Sequence, residues 1–357
     1  MRLALISLAL LFIVYLTAWP TGLEPQVWTP APARELRAEN AAAETVADGA
    51  AVSTLFSDSR GVLLAGLNDG RFLRVHDGAV LTARAPARPQ SCRTLSPTRL
   101  LCVIAGAGAM MVGDETPLPL PNLPRTLGDL AVAADGALYF SQADVMRDTW
   151  AAFVAHANDG RVLRYDDLKS SVSVVADGLS VPDGLALAAD GSSLLVSESA
   201  EYRVTRLWLT GDKAGTRETF IEQLPGFPAG LRANPRGGFW LALYAPRLAA
   251  LDAWAAHPFL RELMFRLPRG LQARPEPRSW ALELDGDGRL QRRLSLQGNY
   301  RSVLEHEGAL YLSGPLENGV RRVPLARAVS PEVVGALRCN TRARPWALPR
   351  PCEPSPA

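Results

Sequence analysis

A polar turn followed at once by an apolar run recurs along this chain, and it constrains the fold more than any other feature. The turns are Arg60-Gly61, Thr98-Arg99, Asp135-Gly136, Asp190-Gly191, Arg236-Gly237 and Glu307-Gly308, leading into runs such as Val62-Leu63-Leu64-Ala65, Ala137-Leu138-Tyr139-Phe140 and Ala309-Leu310-Tyr311-Leu312. Partner strands follow several copies, among them Gly70-Arg71-Phe72-Leu73, Gly160-Arg161-Val162-Leu163 and Gly319-Val320-Arg321-Arg322. The spacing is uneven but mostly roughly 40 to 50 residues, the period of one four-stranded propeller blade, with longer gaps holding insertions. Six copies predict an all-β chain: a six-bladed β-propeller over residues 44–325, closed by pairing an N-terminal strand with the last blade.

Two Pro-x-Gly turns, Pro182-Asp183-Gly184 and Pro228-Ala229-Gly230, each precede an apolar strand. Around them, in order, stand Val181-Pro182-Asp183-Gly184-Leu185, Val196-Ser197-Glu198 through Tyr202-Arg203-Val204, Leu224-Pro225-Gly226-Phe227-Pro228-Ala229-Gly230 and Gly238-Phe239-Trp240-Leu241. This succession resembles the strictosidine synthase-like branch, which includes adipocyte plasma membrane-associated protein, of the SMP-30/gluconolactonase superfamily. More weakly, the resemblance runs from Val46 to Leu325.

Composition removes some alternatives. Hydrophobic residues make up 48% of the 357, enough for a core, and the formal charge of +2 offers no basic field for nucleic acid and no acidic tail for a cationic partner. Behind Met1-Arg2, Leu3 to Trp19 form an uncharged apolar run, so residues 1–19 read as a membrane-targeting segment. An uncleaved transmembrane helix and a cleaved signal peptide both stay open. Arg2 is the one charge ahead of the run, which predicts a body outside the cytoplasm, periplasmic in a Gram-negative bacterium.

Residues 20–43 are rich in Pro, Ala and Glu, and read either as a spacer or as an arm packed on the outside of the barrel, Trp28 leaving both readings open. Between 245 and 277 the repeat is interrupted by a helical pattern through Leu251, Trp254, Leu260 and Met264. Three readings of this insert are open: a lid over the central pocket, a rim helix, and a membrane contact. Residues 326–357 read as an irregular tail. The four cysteines suggest Cys92–Cys102 and Cys339–Cys352 pairs, with a free buried Cys102 as the alternative.

The resemblance also implies where chemistry would sit. Calcium-dependent lactonases and esterases of the superfamily hold the ion at the channel mouth with a first-blade Glu, two Asn and an Asp. Here the matching positions are Gly49-Ala50-Ala51, Gly128, Asp183 and Ala229-Gly230, with Glu44 and Asp48 as substitutes under a shifted alignment. One ligand position survives, Asp183, where calcium wants six to eight oxygens, so at most weak calcium and no other cofactor is expected. The catalytic glutamate of strictosidine synthases aligns with Arg301, which leaves Pictet–Spengler condensation unsupported.

The remaining polar candidates are Asp183 and Asp129 as catalytic carboxylates, each also readable as a turn residue, with His306 as a further pocket residue. Two carboxylates facing one channel would raise one pKa. Glu198 and Glu201 read as solvated. Two functions are carried forward: a hydrolase of lactones or aryl esters with a degenerate metal site, and a non-catalytic extracytoplasmic propeller that binds a small molecule or a partner protein.

Overall fold

The computed structural model describes residues 20–325 except 97, 114–115, 144–148 and 269, together with scattered positions between 6 and 15. The strands in order are β1 (Glu39–Asn40), β2 (Glu44–Ser57), β3 (Leu63–Leu67), β4 (Arg71–Arg74), β5 (Val80–Arg84), β6 (Pro89–Ser96), β7 (Arg99–Ile104), β8 (Gly108–Val112), β9 (Leu118–Pro119), β10 (Leu130–Val132), β11 (Leu138–Gln142), β12 (Gly160–Asp166), β13 (Ser171–Leu179), β14 (Pro182–Leu187), β15 (Ser193–Glu198), β16 (Arg203–Trp208) and β17 (Arg217–Ile221). They continue with β18 (Gly226–Ala233), β19 (Phe239–Pro246), β20 (Arg278–Leu284), β21 (Leu290–Gln297), β22 (Ser302–His306), β23 (Ala309–Ser313) and β24 (Asn318–Pro324). Three short helices interrupt them: α1 (Thr149–Ala155), α2 (Ala249–Ala253) and α3 (Pro258–Arg266).

The chain is an all-β, propeller-like fold of antiparallel meanders. In place of six separate sheets, hydrogen bonding joins the described strands into five, because β2 is long enough to serve twice. Its first residues pair with β24 (Glu44 with Arg322, Val46 with Val320), the register shifts between Val46 and Ala51, and Val52 to Ser57 then pair with β3. The expected closure by an N-terminal strand is this pairing. Six four-stranded units can therefore be followed in chain order: β2–β5, β6–β9, β10–β13, β14–β17, β18–β21, and β22–β24 with the start of β2. Strands such as β7, β15 and β19 are buried along nearly their whole length and read as unbroken apolar runs because units cover both their faces.

Two kinds of glycine explain the recurring turns. Gly61, Gly136, Gly191, Gly237 and Gly308 have φ between +70° and +84°, a left-handed conformation that closes the polar turn and strains any residue with a Cβ. The glycines of the Pro-x-Gly motifs sit instead inside β14 and β18, beside register shifts, and are small because the next unit passes close by. A Cβ on Gly184 would stand 2.1 Å from the Ala229 carbonyl oxygen, and one on Gly230 would stand 2.1 Å from that of Arg301.

Residues 20–40 pack on the propeller as an arm. Gln26 N–H donates to the Ala155 carbonyl (2.8 Å), Arg247 to that of Ala31 (2.6 Å), β1 pairs parallel to β21, and Trp28 stacks on His156 with ring centroids 4.0 Å apart. In the helical insert, α3 packs against α1 and carries Arg261, whose guanidinium donates to the Val154 carbonyl (3.0 Å). Cys92 and Cys102 face each other on β6 and β7 and are disulfide-bonded, which settles against the free thiol.

No helix among the described residues is long and apolar enough to cross a membrane. The predicted transmembrane segment 1–19 lies mostly outside the described residues, as do the tail 326–357 and the Cys339–Cys352 pair.

Candidate functional site

The first strands of successive units, β2, β6, β10, β14, β18 and β22, lie against one another, and residues on or just before them line one shared cavity at the channel mouth. A narrow well of about 60 Å³ is lined by residues that include Ser53, Gly128, Asp129, Asp183, Gly230 and Arg232. It shares Arg88, Gln90, Gly128, Asp183 and Arg301 with a wider groove of about 280 Å³ walled by Leu127, Phe153, Val181 and Pro182. Phe153 comes from α1, and no described residue of 245–277 lines either cavity. The insert thus supports the groove from behind, through α1, and is not its lid.

Serines hold this rim together from one unit to the next. Ser197 Oγ accepts from Gly184 N–H (2.7 Å) and donates to the Ala229 carbonyl of the following unit (2.7 Å). Ser141 does the same between Asp129 N–H (2.8 Å) and the Asp183 carbonyl, and Ser53 ties the first unit to the Pro89 carbonyl of the second (2.6 Å). These bonds use buried hydroxyls to fix the loops carrying the site, so the cavity is preformed.

Both candidate aspartates reach the well, and each is engaged by arginine from across the channel. Asp129, only 5% exposed, accepts from Arg232 (2.7 and 3.4 Å), from Ser91 Oγ, and from the backbone of Leu130 (2.8 Å) and Leu185 (2.9 Å), with Arg93 at 3.7 Å. Burial works against its charge, but Arg232 and Arg93 with these hydrogen bonds hold its carboxyl below the ordinary value. The rise expected of facing carboxylates is not found at Asp129, because Arg232 and Arg93 outweigh burial.

Asp183 is ion-paired with Arg301. Arg301 lies 5.4 Å from the Tyr244 ring centre, and its guanidinium is held above its ordinary value first by Asp183, against burial. Burial pushes the Tyr244 phenol up to about 12, Arg301 opposing. Arg88 makes no ion pair among the described residues, and burial, then the charge of Arg301, push its guanidinium down.

The other sequence-derived positions fall as follows. Gly128 and Gly230 line the well, and Ala229 is buried behind it. His306 ends β22 and lines a separate cavity with His76, Arg60 and Tyr311, because an inner strand that starts at the well carries its last residue to the opposite turn. Glu198 is fully buried rather than solvated, bonded to Arg203 (2.7 and 3.0 Å), Thr205 and the Ser180 N–H (3.0 Å). Glu201 bonds His156 (2.8 Å).

Arg88, Gln90, Arg93, Arg232 and Ser53 were not anticipated. Arg232 was legible as the residue two beyond Gly230, on the same strand face, and Arg88-Pro89-Gln90 as the second unit's counterpart of a Pro-x-Gly entry.

Calcium does not fit this donor set. In the first unit the residue at the well is Ser53; Glu44 pairs with Arg322 at the surface and Asp48 is exposed, so neither substitutes for the missing glutamate. No group of three or more His, Cys, Asp or Glu able to hold a metal occurs among the described residues, and both carboxylates at the well are already neutralised by guanidinium groups that repel a dication.

Residues 128–212 match the strictosidine synthase family model. Human adipocyte plasma membrane-associated protein is 30% identical over 291 residues, covering 70% of each chain. The chain belongs to the strictosidine synthase-like family. Another relative, strictosidine synthase-like 13 of Arabidopsis thaliana, is 32% identical over 171 residues, covering 45% of this chain and 42% of its own. Among solved structures, a Xanthomonas campestris gluconolactonase superposes with TM-score 0.58 at 17% identity (87% of this chain, 99% of that one), and an Agrobacterium tumefaciens regucalcin with 0.57 at 13% (82% and 100%). These two likenesses show the fold alone, that of a β-propeller.

Proposed function

We propose that this strictosidine synthase-like protein is a small-molecule-binding propeller whose ligand enters the well and groove at the channel mouth, rather than a calcium-dependent hydrolase. The observation that carries the reading is the pairing of Asp129 with Arg232 and of Asp183 with Arg301, which ties up both carboxylates a metal or a proton-transfer step would use. A preformed concave site with an apolar wall and a few converging polar groups is the usual form of a ligand pocket.

A second reading, metal-free hydrolysis of lactones or aryl esters, is favoured by the side-chain exposure of Asp183, 18%, which leaves that carboxylate open to the cavity. The two readings separate in one assay of the full chain and its Asp183→Asn variant on lactone and aryl-ester substrates. Turnover lost in the variant establishes the hydrolase; saturable binding without turnover establishes the binding role.

The same proposal counts the six four-stranded units as six blades and tethers the protein by residues 1–19 with its body outside the cytoplasm. Arg2 ahead of the apolar run supports the orientation. A C-terminal reporter active only outside the cytoplasm checks it; a signal from a cytoplasmic reporter instead overturns it.

A further inference from the structure

The charge at the mouth is unbalanced in one direction. Around the well stand four guanidinium groups, Arg88, Arg93, Arg232 and Arg301, against two carboxylates, Asp129 and Asp183. Arg93 and Arg232 are spent on Asp129, and Arg301 is shared with Asp183. Arg88 has no carboxylate partner among the described residues and faces the like charge of Arg301, although its backbone carbonyl is pinned by Ala105 N–H (2.9 Å). Two half-buried guanidinium groups turned to one cavity are mutually unfavourable, and an anion between them removes the penalty.

The surroundings say more about that anion. Arg88, Arg301 and Gln90 stand where the narrow well meets the wider groove, and beyond them the groove is walled by Leu127, Ala143, Phe153, Val181 and Pro182. Phe153 is fixed by α1 and by an edge-on contact with Phe227, ring centroids 5.2 Å apart. A cationic fork at one end and an apolar wall at the other match a ligand of the same polarity.

We propose that the site binds a small organic carboxylate, its oxyanion held by Arg88 and Arg301 and its apolar body laid along Leu127, Phe153, Val181 and Pro182. This rests on the ligand-binding reading and adds the chemical class of the ligand. Fork-shaped guanidinium groups suit a carboxylate, which accepts two parallel N–H bonds. The apolar wall makes inorganic phosphate, which has the charge without the body, the weaker ligand.

The test is calorimetric titration of the full chain in mild detergent with phenylacetate, decanoate, inorganic phosphate and the neutral phenylacetamide, repeated on Arg88→Gln. Arg88 makes no ion pair among the described residues, so this variant is expected to fold, and an unchanged melting temperature verifies that it does. The expected result is saturable binding of phenylacetate or decanoate, weaker binding of phosphate, and a loss on the order of tenfold or more for the carboxylates in Arg88→Gln, with phenylacetamide unaffected. Carboxylate binding should also weaken with added salt.

Equal affinity for phenylacetate and phenylacetamide, or carboxylate binding unchanged in Arg88→Gln, overturns the inference but leaves the pocket as a site for a neutral ligand. Phosphate binding as well as the carboxylates do overturns the role of the apolar wall. Absence of binding by all four probes overturns the carboxylate proposal itself. The broader ligand-binding reading falls separately, if the lactone and ester assay shows turnover that depends on Asp183.

Discussion

Arg301 and Asp183 reach each other across the channel mouth, from the start of the sixth four-stranded unit to the start of the fourth, and form an ion pair. The resemblance aligns Arg301 with the catalytic glutamate of strictosidine synthases and leaves Asp183 as the one surviving calcium-ligand position. The two positions that would define the resembled chemistries therefore neutralise each other.

Breaking this pair is expected to be mild, because the side chains are 41% and 18% exposed and water screens them. Arg301→Gln and Asp183→Asn should each cost about 1 kcal/mol, with a coupling of about 0.5–1 kcal/mol in the double variant. Urea unfolding of the four proteins measures it, and fully additive losses would show that the two charges do not interact in solution.

Asp129 should behave differently, since it is buried with five donors around it. Asp129→Asn leaves Arg232 and Arg93 without their counter-charge and is expected to cost about 3–5 kcal/mol. Its folded carboxyl is held below the ordinary value of 3.8, so its contribution is complete above that pH and is lost as the pH falls through the folded value. Acid unfolding should be steep in the wild type below about pH 4, and shallower in Asp129→Asn over the same range. Equal slopes would contradict the assignment.

Gly184→Ala should destabilise although the φ of Gly184 lies outside the left-handed region, because the new methyl meets the Ala229 carbonyl at 2.1 Å and forces two units apart. The expected loss is about 1–3 kcal/mol, visible as a lower melting temperature. A variant as stable as the wild type would mean that adjacent units separate easily.

Calcium should be neither retained nor stabilising. After desalting, elemental analysis should find far less than one calcium per chain, and added calcium should leave the melting temperature unchanged, since only a ligand bound by the native state raises it. A calcium-dependent rise would show that the arginines move aside and that the esterase reading should be restored.

The sequence by itself determined the repeat, the strand-rich fold, the closure through the first long strand, the insert at 245–277 and the rim positions Gly128, Asp129, Asp183 and Gly230. These were legible because turn glycines and apolar runs are local consequences of backbone sterics and burial, and they recur with the unit. Tertiary structure alone decided which charges meet. Arg232 and Asp129 are 103 residues apart and Arg301 and Asp183 are 118 apart, so no local pattern announces either pair. It also decided that Glu198 is buried with Arg203 and that His306 lies away from the well. The strand direction sends one end of β22 to the channel mouth and the other to the opposite turns. Pairing across a channel depends on which strand ends converge in space, and the partners of a charge are set by that convergence.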